Sequence, residues 1–327
     1  MVTAITGATG FIGGVLASEL TARGEKVRAL VRKKSNTKQL EALGIELATG
    51  DVADPASLND FLHGCDRLYH CAGLVDLGCR DWNLFYKVNV EGTINILEAA
   101  QRNGINRVVY SSSAATLCPE NGGTLTENPP KKRQSMGYYS DSKTQAETEA
   151  MKFIDRGIDV ILVNPTNVFG PGSVSNINRT VLDLILGKLP GVPDTSTNLV
   201  YIDDVVEAHI LGFQRGIPGR HYLVAGETVR MVDAYQMAVN MAGSSKKVRG
   251  IPLSLTWLYA YIGESLSKFT DKKPLISRAE LKPVSRKILV NDSQTRGELG
   301  LKKTTVKDGM AQLVTWFQHE GYFNASK

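Results

Sequence analysis

Tyr139 and Lys143 stand four residues apart, and upstream an apolar stretch ends in Ser111-Ser112-Ser113. These are the residue types that can move a proton to or from a carbonyl or carbinol oxygen. On a helix, positions i and i+4 share a face one turn apart. A free tyrosine, with a pKa of about 10, is a poor base at neutral pH. An ammonium beside it favours the phenolate and lowers that value, so Lys143 is expected to tune Tyr139. Ser113 is suited to bond the substrate oxygen and hold it in line with the phenol. Alone, a Tyr-x-x-x-Lys pair is common on surface helices and carries little. A second signature gives it meaning.

That signature is Thr6-Gly7-Ala8-Thr9-Gly10-Phe11-Ile12-Gly13. Val2-Thr3-Ala4-Ile5 before it has the pattern of a short strand, and Phe11 to Ala17, with Leu20 on the same face, opens a helix. Gly7 permits the tight turn, Gly10 brings backbone amides close to a pyrophosphate, and Gly13 lets helix and strand pack closely. Thr9, Phe11 and Ile12 belong to the same cradle. In strand–turn–helix context this is a dinucleotide site rather than an ordinary turn. The positive nicotinamide of an oxidised cofactor would further favour the Tyr139 phenolate, and the two signatures together imply hydride transfer.

An acid about twenty residues further on would accept the ribose 2′-OH of NAD. No Asp or Glu occurs between Glu25 and Glu41; instead Lys26 to Arg32 forms a second strand, followed by Lys33-Lys34. Arg32 can fork onto a 2′-phosphate, with Lys33 adding charge. NADP(H) is therefore favoured over NAD(H).

With these motifs the chain resembles the extended short-chain dehydrogenases/reductases, the NAD-dependent epimerase/dehydratase superfamily, over nearly its whole length. Gly50-Asp51-Val52 resembles the family's acid beside the adenine, and His70-Cys71-Ala72-Gly73 its strand-end Ala-Gly next to the cofactor. Asn89-Val90-Glu91-Gly92-Thr93 matches an Asn-Val-x-Gly-Thr helix, and Asn164-Pro165-Thr166 to Gly170-Pro171-Gly172 a loop leading into the substrate lobe. Tyr201-Ile202-Asp203-Asp204-Val205 matches a His-Val-Asp-Asp-Val stretch, with Tyr in place of His. Within the family, Val27 to Arg32 and Asn198 to Tyr201 are most similar to dihydroflavonol-4-reductase-like proteins and to the group called hopanoid-associated sugar epimerases. The resemblance implies a catalytic Ser113, Tyr139 and Lys143, and cofactor contacts at Asp51, Val52, Ala72, Gly73, Lys143 and Pro165.

The 327 residues can bury one large core plus a smaller lobe. With 42% hydrophobic and 22% charged residues the composition is that of an ordinary globular protein. The net charge of +5 is spread over separate clusters with no aromatic-interleaved stripe, which argues against nucleic-acid binding. Cys65, Cys71, Cys79 and Cys118 lack metal-ligand spacing, so no metal is expected. The first strand begins at Val2, leaving no room for a leader, and the cytoplasm is the expected compartment.

Strand-like runs at Glu46–Ala48, Arg67–His70, Arg107–Tyr110 and Asp159–Val163 alternate with helical patterns such as Trp82–Arg102. This predicts an α/β fold, a Rossmann doubly wound parallel sheet with a smaller C-terminal substrate lobe. The cofactor domain is expected over 1–165 and the lobe over 166–327, the two interleaved. In the lobe, Leu182–Gly187 and Val306–Phe317 suggest helices and Lys287–Val290 a small strand.

Ile251 to Phe269 carries an apolar stripe flanked by Lys246-Lys247-Val248-Arg249 and Lys272-Lys273. Polar interruptions keep it too short to span a bilayer. It is expected to pack over the substrate pocket, in preference to lying on a membrane surface.

The favoured function is an NADPH-dependent reduction of a ketone or aldehyde on a small, mostly apolar molecule. A nucleotide-sugar epimerase with tightly held NAD(P) is the alternative, kept open by Asn164-Pro165-Thr166, which resembles a diphosphate-touching loop. Sugar dehydration would need an acid beside Ser113, where Ala114 and Ala115 stand. A non-catalytic NADPH sensor or scaffold would be expected to lose Tyr139 or Lys143. Leu74, Val75, Met136, Tyr138, Asn167, Phe169 and Val174 flank the chemistry and are the candidate substrate contacts. By resemblance a homodimer is expected, packing Trp82–Arg102 and Tyr139–Asp155 through Ala99, Ala100, Ala146 and Ala150.

Overall fold

The computed structural model describes residues 1–76, 79–120, 122–266, 281 and 289–323. In chain order the strands are β1 (Val2–Thr6), β2 (Lys26–Val31), β3 (Glu46–Thr49), β4 (Arg67–His70), β5 (Arg107–Ser111), β6 (Thr124–Leu125) and β7 (Asp159–Pro165). They continue as β8 (Asn167–Phe169), β9 (Gly191–Pro193), β10 (Ser196–Tyr201), β11 (His221–Val224), β12 (Glu227–Arg230), β13 (Arg249–Ile251) and β14 (Leu289–Val290). Seven of them form one sheet in the order β11-β7-β5-β4-β1-β2-β3. Every pair in it is parallel. The order reverses between β1 and β4, and in doubly wound sheets the crevice at that reversal, beyond the strands' carboxyl ends, receives the ligand.

The sheet's strands are buried on both faces, hence continuous Val/Ile/Leu runs such as Val160-Ile161-Leu162-Val163, each fully covered. On one face, α1 (Phe11–Ala22) contributes Leu16, Ala17 and Leu20, the short α2 (Lys38–Ala42) contributes Leu40, and α8 (Ile202–Arg215) contributes Ile202, Val205 and Ala208. On the other, α3 (Ala56–Leu62), α5 (Gly92–Arg102) and α6 (Tyr138–Met151) cover Leu68, Val108 and Val160. The first core runs without a break into α7 (Asn176–Ile185), α9 (Met231–Met241) and the C-terminal helix Val306–His319. The seventh strand, β11, comes from beyond residue 165, so the large sheet is completed by the second half of the chain.

The stretch expected as one helix over Trp82–Arg102 is helical throughout but not uniform. It opens as α4 (Trp82–Phe85), widens to a π-turn over Tyr86–Glu91 and continues as α5. Ala99, Ala100, Ala146 and Ala150 are fully buried between α5, α6 and the sheet. They face inward, so the argument for a dimer packed closely through them does not hold. Among the described residues no helix is long and apolar enough to cross a membrane.

Candidate active site

Apart from Tyr139 and Lys143 on α6, the expected cofactor and catalytic residues lie at or just beyond the carboxyl ends of six strands of the sheet, β1, β2, β3, β4, β5 and β7. The first end carries the glycine turn. Gly7 has φ +73, and a Cβ there would lie 2.6 Å from the backbone of Cys71 and Ala72. Gly13 is just as tight: its Cβ would fall 2.3 Å from the Gly7 carbonyl oxygen. Gly10 caps α1 without a side-chain hydrogen bond, which leaves the first amides of the helix for a ligand. Thr9 and Gly10 are exposed, Phe11 and Ile12 half-buried. A cradle with bare backbone and an uncapped helix start fits a dinucleotide pyrophosphate.

Arg32 follows β2 and is exposed, lining an open depression with Lys33, Lys34 and Ser35. Among the described residues no ion pair engages it. After β3, Asp51 is half-buried, and its Oδ1 accepts the Ala53 amide at 2.9 Å. Val52 is packed under Gly92, where a Cβ would come within 2.8 Å of it. The Val52 carbonyl accepts from Asn95 Nδ2 at 2.9 Å.

At the end of β4 a buried relay joins two strands to α5. Thr6 Oγ1 lies 2.8 Å from His70 Nδ1, His70 Nε2 lies 3.1 Å from Thr93 Oγ1, and Thr93 donates to the Asn89 carbonyl at 2.6 Å. Burial holds His70 neutral, its pKa pushed down to about 3. The Ala72 amide donates to the same Thr6 oxygen at 3.1 Å. Asn89 sits in the π-turn, accepts the Leu74 amide at 2.7 Å and donates to Ser142 Oγ at 2.9 Å. The extra residue of a π-turn re-aims side chains, and here it is matched by an asparagine that ties the β4 loop to α6. Gly73 is exposed. A Cβ on it would approach Asn89 Oδ1 to 3.3 Å and Lys143 Nζ to 3.4 Å, so its lack of a side chain leaves Lys143 approachable.

Ser113 and Tyr139 are brought close enough that the Ser113 hydroxyl favours the Tyr139 phenolate against burial, while Ser113 Oγ accepts the Ala115 amide at 3.2 Å. Lys143 is different. Its Nζ donates to the Ser111 carbonyl at 2.8 Å and to Tyr110 Oη at 3.3 Å, with the Tyr110 ring centroid 4.6 Å away. Burial pushes the Lys143 pKa down to about 8, against the opposing pull of Glu147. Tyr139 is raised by burial, and the neighbouring Ser113 hydroxyl opposes that rise only in part. The expected lowering of the phenol by Lys143 is not found in this state; the tyrosine keeps its proton.

Behind these residues lies a group that sequence spacing could have shown, since Glu147 continues the face of Tyr139 and Lys143 by one more turn. It is 1% exposed. Its carboxylate accepts from Asn164 Nδ2 at 2.7 Å and Thr116 Oγ1 at 2.8 Å, and pairs with Arg133 at 3.0 Å. Asn164 also donates to the Ser113 carbonyl at 3.1 Å. Glu147 thus ties α6, the Ser113 turn, the end of β7 and the loop carrying Arg133 and Met136. Glu147→Gln keeps the shape and removes the charge that stabilises Arg133 and the Lys143 ammonium. It is expected to cost about 1–3 kcal/mol in denaturant unfolding, Arg133 being partly solvated. It should also move the alkaline limb of the pH–rate profile to lower pH. Unchanged stability together with an unchanged profile would contradict this role.

The candidate substrate residues divide. Tyr138 and Val75 are exposed and Leu74 half-buried, with the Tyr138 ring 5.7 Å from Trp82. Asn167 is exposed, its Nδ2 donating to Thr197 Oγ1 at 2.9 Å. Met136 is shut in with Leu117, Leu125 and Leu223. Phe169 is 1% exposed, edge-on to Tyr201 and covered by the C-terminal helix at Gly309. It is a core residue and not a pocket wall, and half-buried Val174 packs against the same core. Pro165 ends β7, beside the Ser111 end of β5.

The profile of the NAD dependent epimerase/dehydratase family matches residues 3–225. The chain belongs to this family. It is 32% identical to Sterol demethylase protein B of Methylococcus capsulatus over 98% of this chain and 99% of that one. It is 30% identical to Dihydroflavonol 4-reductase of Zea mays over 69% and 70% of the two chains. Among solved structures, the crystal structure of gox2253 superposes with a TM-score of 0.82 at 32% identity, covering 99% of both chains. The family member described here is accordingly an NAD(P)-dependent oxidoreductase or epimerase with a Rossmann-type sheet.

Proposed function

We propose that this family member is an NADPH-dependent reductase of a ketone or aldehyde on a small, mostly apolar molecule, with Tyr139 as proton donor. The observation that carries this reading is the convergence of Ser113 with the Tyr139 phenol, which burial keeps in its protonated form. Two hydroxyls there can donate to one carbonyl oxygen. When bound, the reduced nicotinamide supplies the hydride. As the carbonyl carbon takes it up, charge builds on the oxygen, Ser113 stabilises it, and the Tyr139 proton moves onto it to give the alcohol. Lys143, one helical turn further on, stabilises the phenolate left behind, which regains its proton from water. The names of the sterol and dihydroflavonol relatives support an apolar, multi-ring substrate.

A nucleotide-sugar epimerase is the second reading, favoured by the family description. Against it, Asn164 is fully buried with its amide nitrogen turned to Glu147 and Ser113, and so is unsuited to touch a diphosphate. Arg32 favours a 2′-phosphate. Arg32→Asp is expected to weaken NADPH about ten- to a hundredfold while sparing NADH, the usual cost of a lost charge-assisted fork. Fluorescence titration of both cofactors checks this, and equal affinity of the unaltered protein for the two would remove the assignment. Turnover is tested with NADPH and a panel of ring ketones. Purified protein that retains NAD, interconverts a nucleotide sugar and leaves NADPH unconsumed would replace the reductase reading by the epimerase one.

A further inference from the structure

The helix α10 (Leu253–Leu266) reverses the usual amphipathic arrangement. Its inward face carries Thr256, Ala260 and Glu264, all buried, while Leu255, Leu258, Tyr259 and Ile262 are 48–55% exposed. The spacing i, i+3, i+4, i+7 gathers those four into one outward stripe. The outward stripe departs from the expectation that Ile251 to Phe269, of which 267–269 lie outside the described residues, packs over the substrate pocket. Ordinary surface helices turn such a stripe inward, and a contiguous exposed apolar patch marks an interaction surface.

Two observations indicate what covers it. The strand leading into the helix, β13, follows exposed Lys246 and Lys247 and begins with exposed Arg249. Lys246 lies against Gly187, next to exposed Lys188, so two separate segments place cations at the entry to α10. Lys272 and Lys273, beyond the helix, lie outside the described residues. Second, Glu264 pairs with Arg80 at 3.0 Å, which ties α10 to the segment entering α4. That segment leads to Trp82, whose ring meets Tyr138, the residue before Tyr139. Tyr138 is exposed, and so are Val75, ahead of this segment, and Leu84 within α4.

We infer that α10 and the active-site rim dock on an anionic lipid surface, the apolar stripe entering the headgroup boundary and the entry cations facing lipid phosphates. A helix of fourteen residues is about 21 Å long, too short to span and suited to lie in the plane. The reaction would then draw an apolar substrate from the bilayer instead of from water.

Vesicle flotation of the full-length protein tests this with neutral phosphatidylcholine and with phosphatidylcholine containing phosphatidylglycerol. The protein is expected to float with the anionic vesicles, less with the neutral ones, and to be released by salt. Leu258→Ser/Ile262→Ser and, separately, Lys246→Glu/Lys247→Glu should each weaken binding about tenfold or more. Both variants should retain NADPH affinity, which shows that they are folded. Absence of flotation with the anionic vesicles overturns the proposal. So does a dimer in light scattering that Leu258→Ser/Ile262→Ser breaks while vesicle binding is unaffected, since the stripe would then be a contact between copies. Flotation reads binding without turnover, so its failure and that of the reductase reading are distinguishable.

Discussion

Tyr139→Phe is expected to reduce carbonyl turnover by about 10²-fold or more, the usual scale for losing a general acid. The phenyl ring fills the same space, so NADPH affinity should persist. The loss should appear in kcat and kcat/KM alike, because the phenol's proton is needed only as charge develops on the substrate oxygen. Lys143→Met should also remove most turnover, with weaker cofactor binding in addition, since Gly73 leaves that ammonium open to a bound ligand. Lys143 adds a pH test. With its pKa pushed down to about 8 by burial, it is charged below that value and neutral above it. Reduction should therefore fall as pH rises through about 8, and a flat profile there would contradict the role given to Lys143. Near-full activity in Tyr139→Phe would show that the proton comes from elsewhere.

The second large effect is expected at Gly7. Gly7→Ala forces an L side chain into φ +73 and drives its Cβ to 2.6 Å from the backbone of Cys71 and Ala72. Only a parting of the β1 and β4 ends relieves that clash. The change should cost about 3 kcal/mol or more in denaturant unfolding and lower NADPH affinity about 10²-fold, because the pyrophosphate cradle moves with the strand ends. Gly24→Ala is the matched control: φ is +82 but nothing lies within 4 Å of the added carbon. It should cost about 1–2 kcal/mol, the left-handed strain alone, with NADPH affinity unchanged. Equal effects from the two variants would show that strain, and not the contact with β4, governs the turn.

Much of this was legible in the sequence because it is local. A strand, a glycine turn and a helix start lie within thirteen residues, and Tyr139 to Lys143 spans one helical turn. The parallel sheet followed from alternating apolar runs. What escaped depends on distant partners. Spacing places Glu147 on the face of Tyr139 and Lys143, but its role shows only where Arg133, Thr116 and Asn164 converge on it. Phe169 stands beside the site in sequence, yet the C-terminal helix, more than a hundred residues later, closes over it. The four alanines of α5 and α6 suit a close contact, and sequence cannot say whether with a second copy or with the sheet. The apolar stripe of α10 has the right period for a core helix, and only the fold shows which face it turns outward.

The late arrival of β11 bears on how the chain is made. Until His221–Val224 has been synthesised, β7 is the bare edge of the growing sheet, with Val160, Ile161, Leu162 and Val163 beside unpaired backbone. Such an edge is a template for the wrong neighbour. A nascent chain halted after residue 165 would hold every glycine of the cofactor cradle together with Ser113, Tyr139 and Lys143, and yet be prone to aggregate. The first half of the chain is therefore expected to behave as an assembly stage instead of a separable module, and chaperone demand should be greatest in the interval before the seventh strand docks.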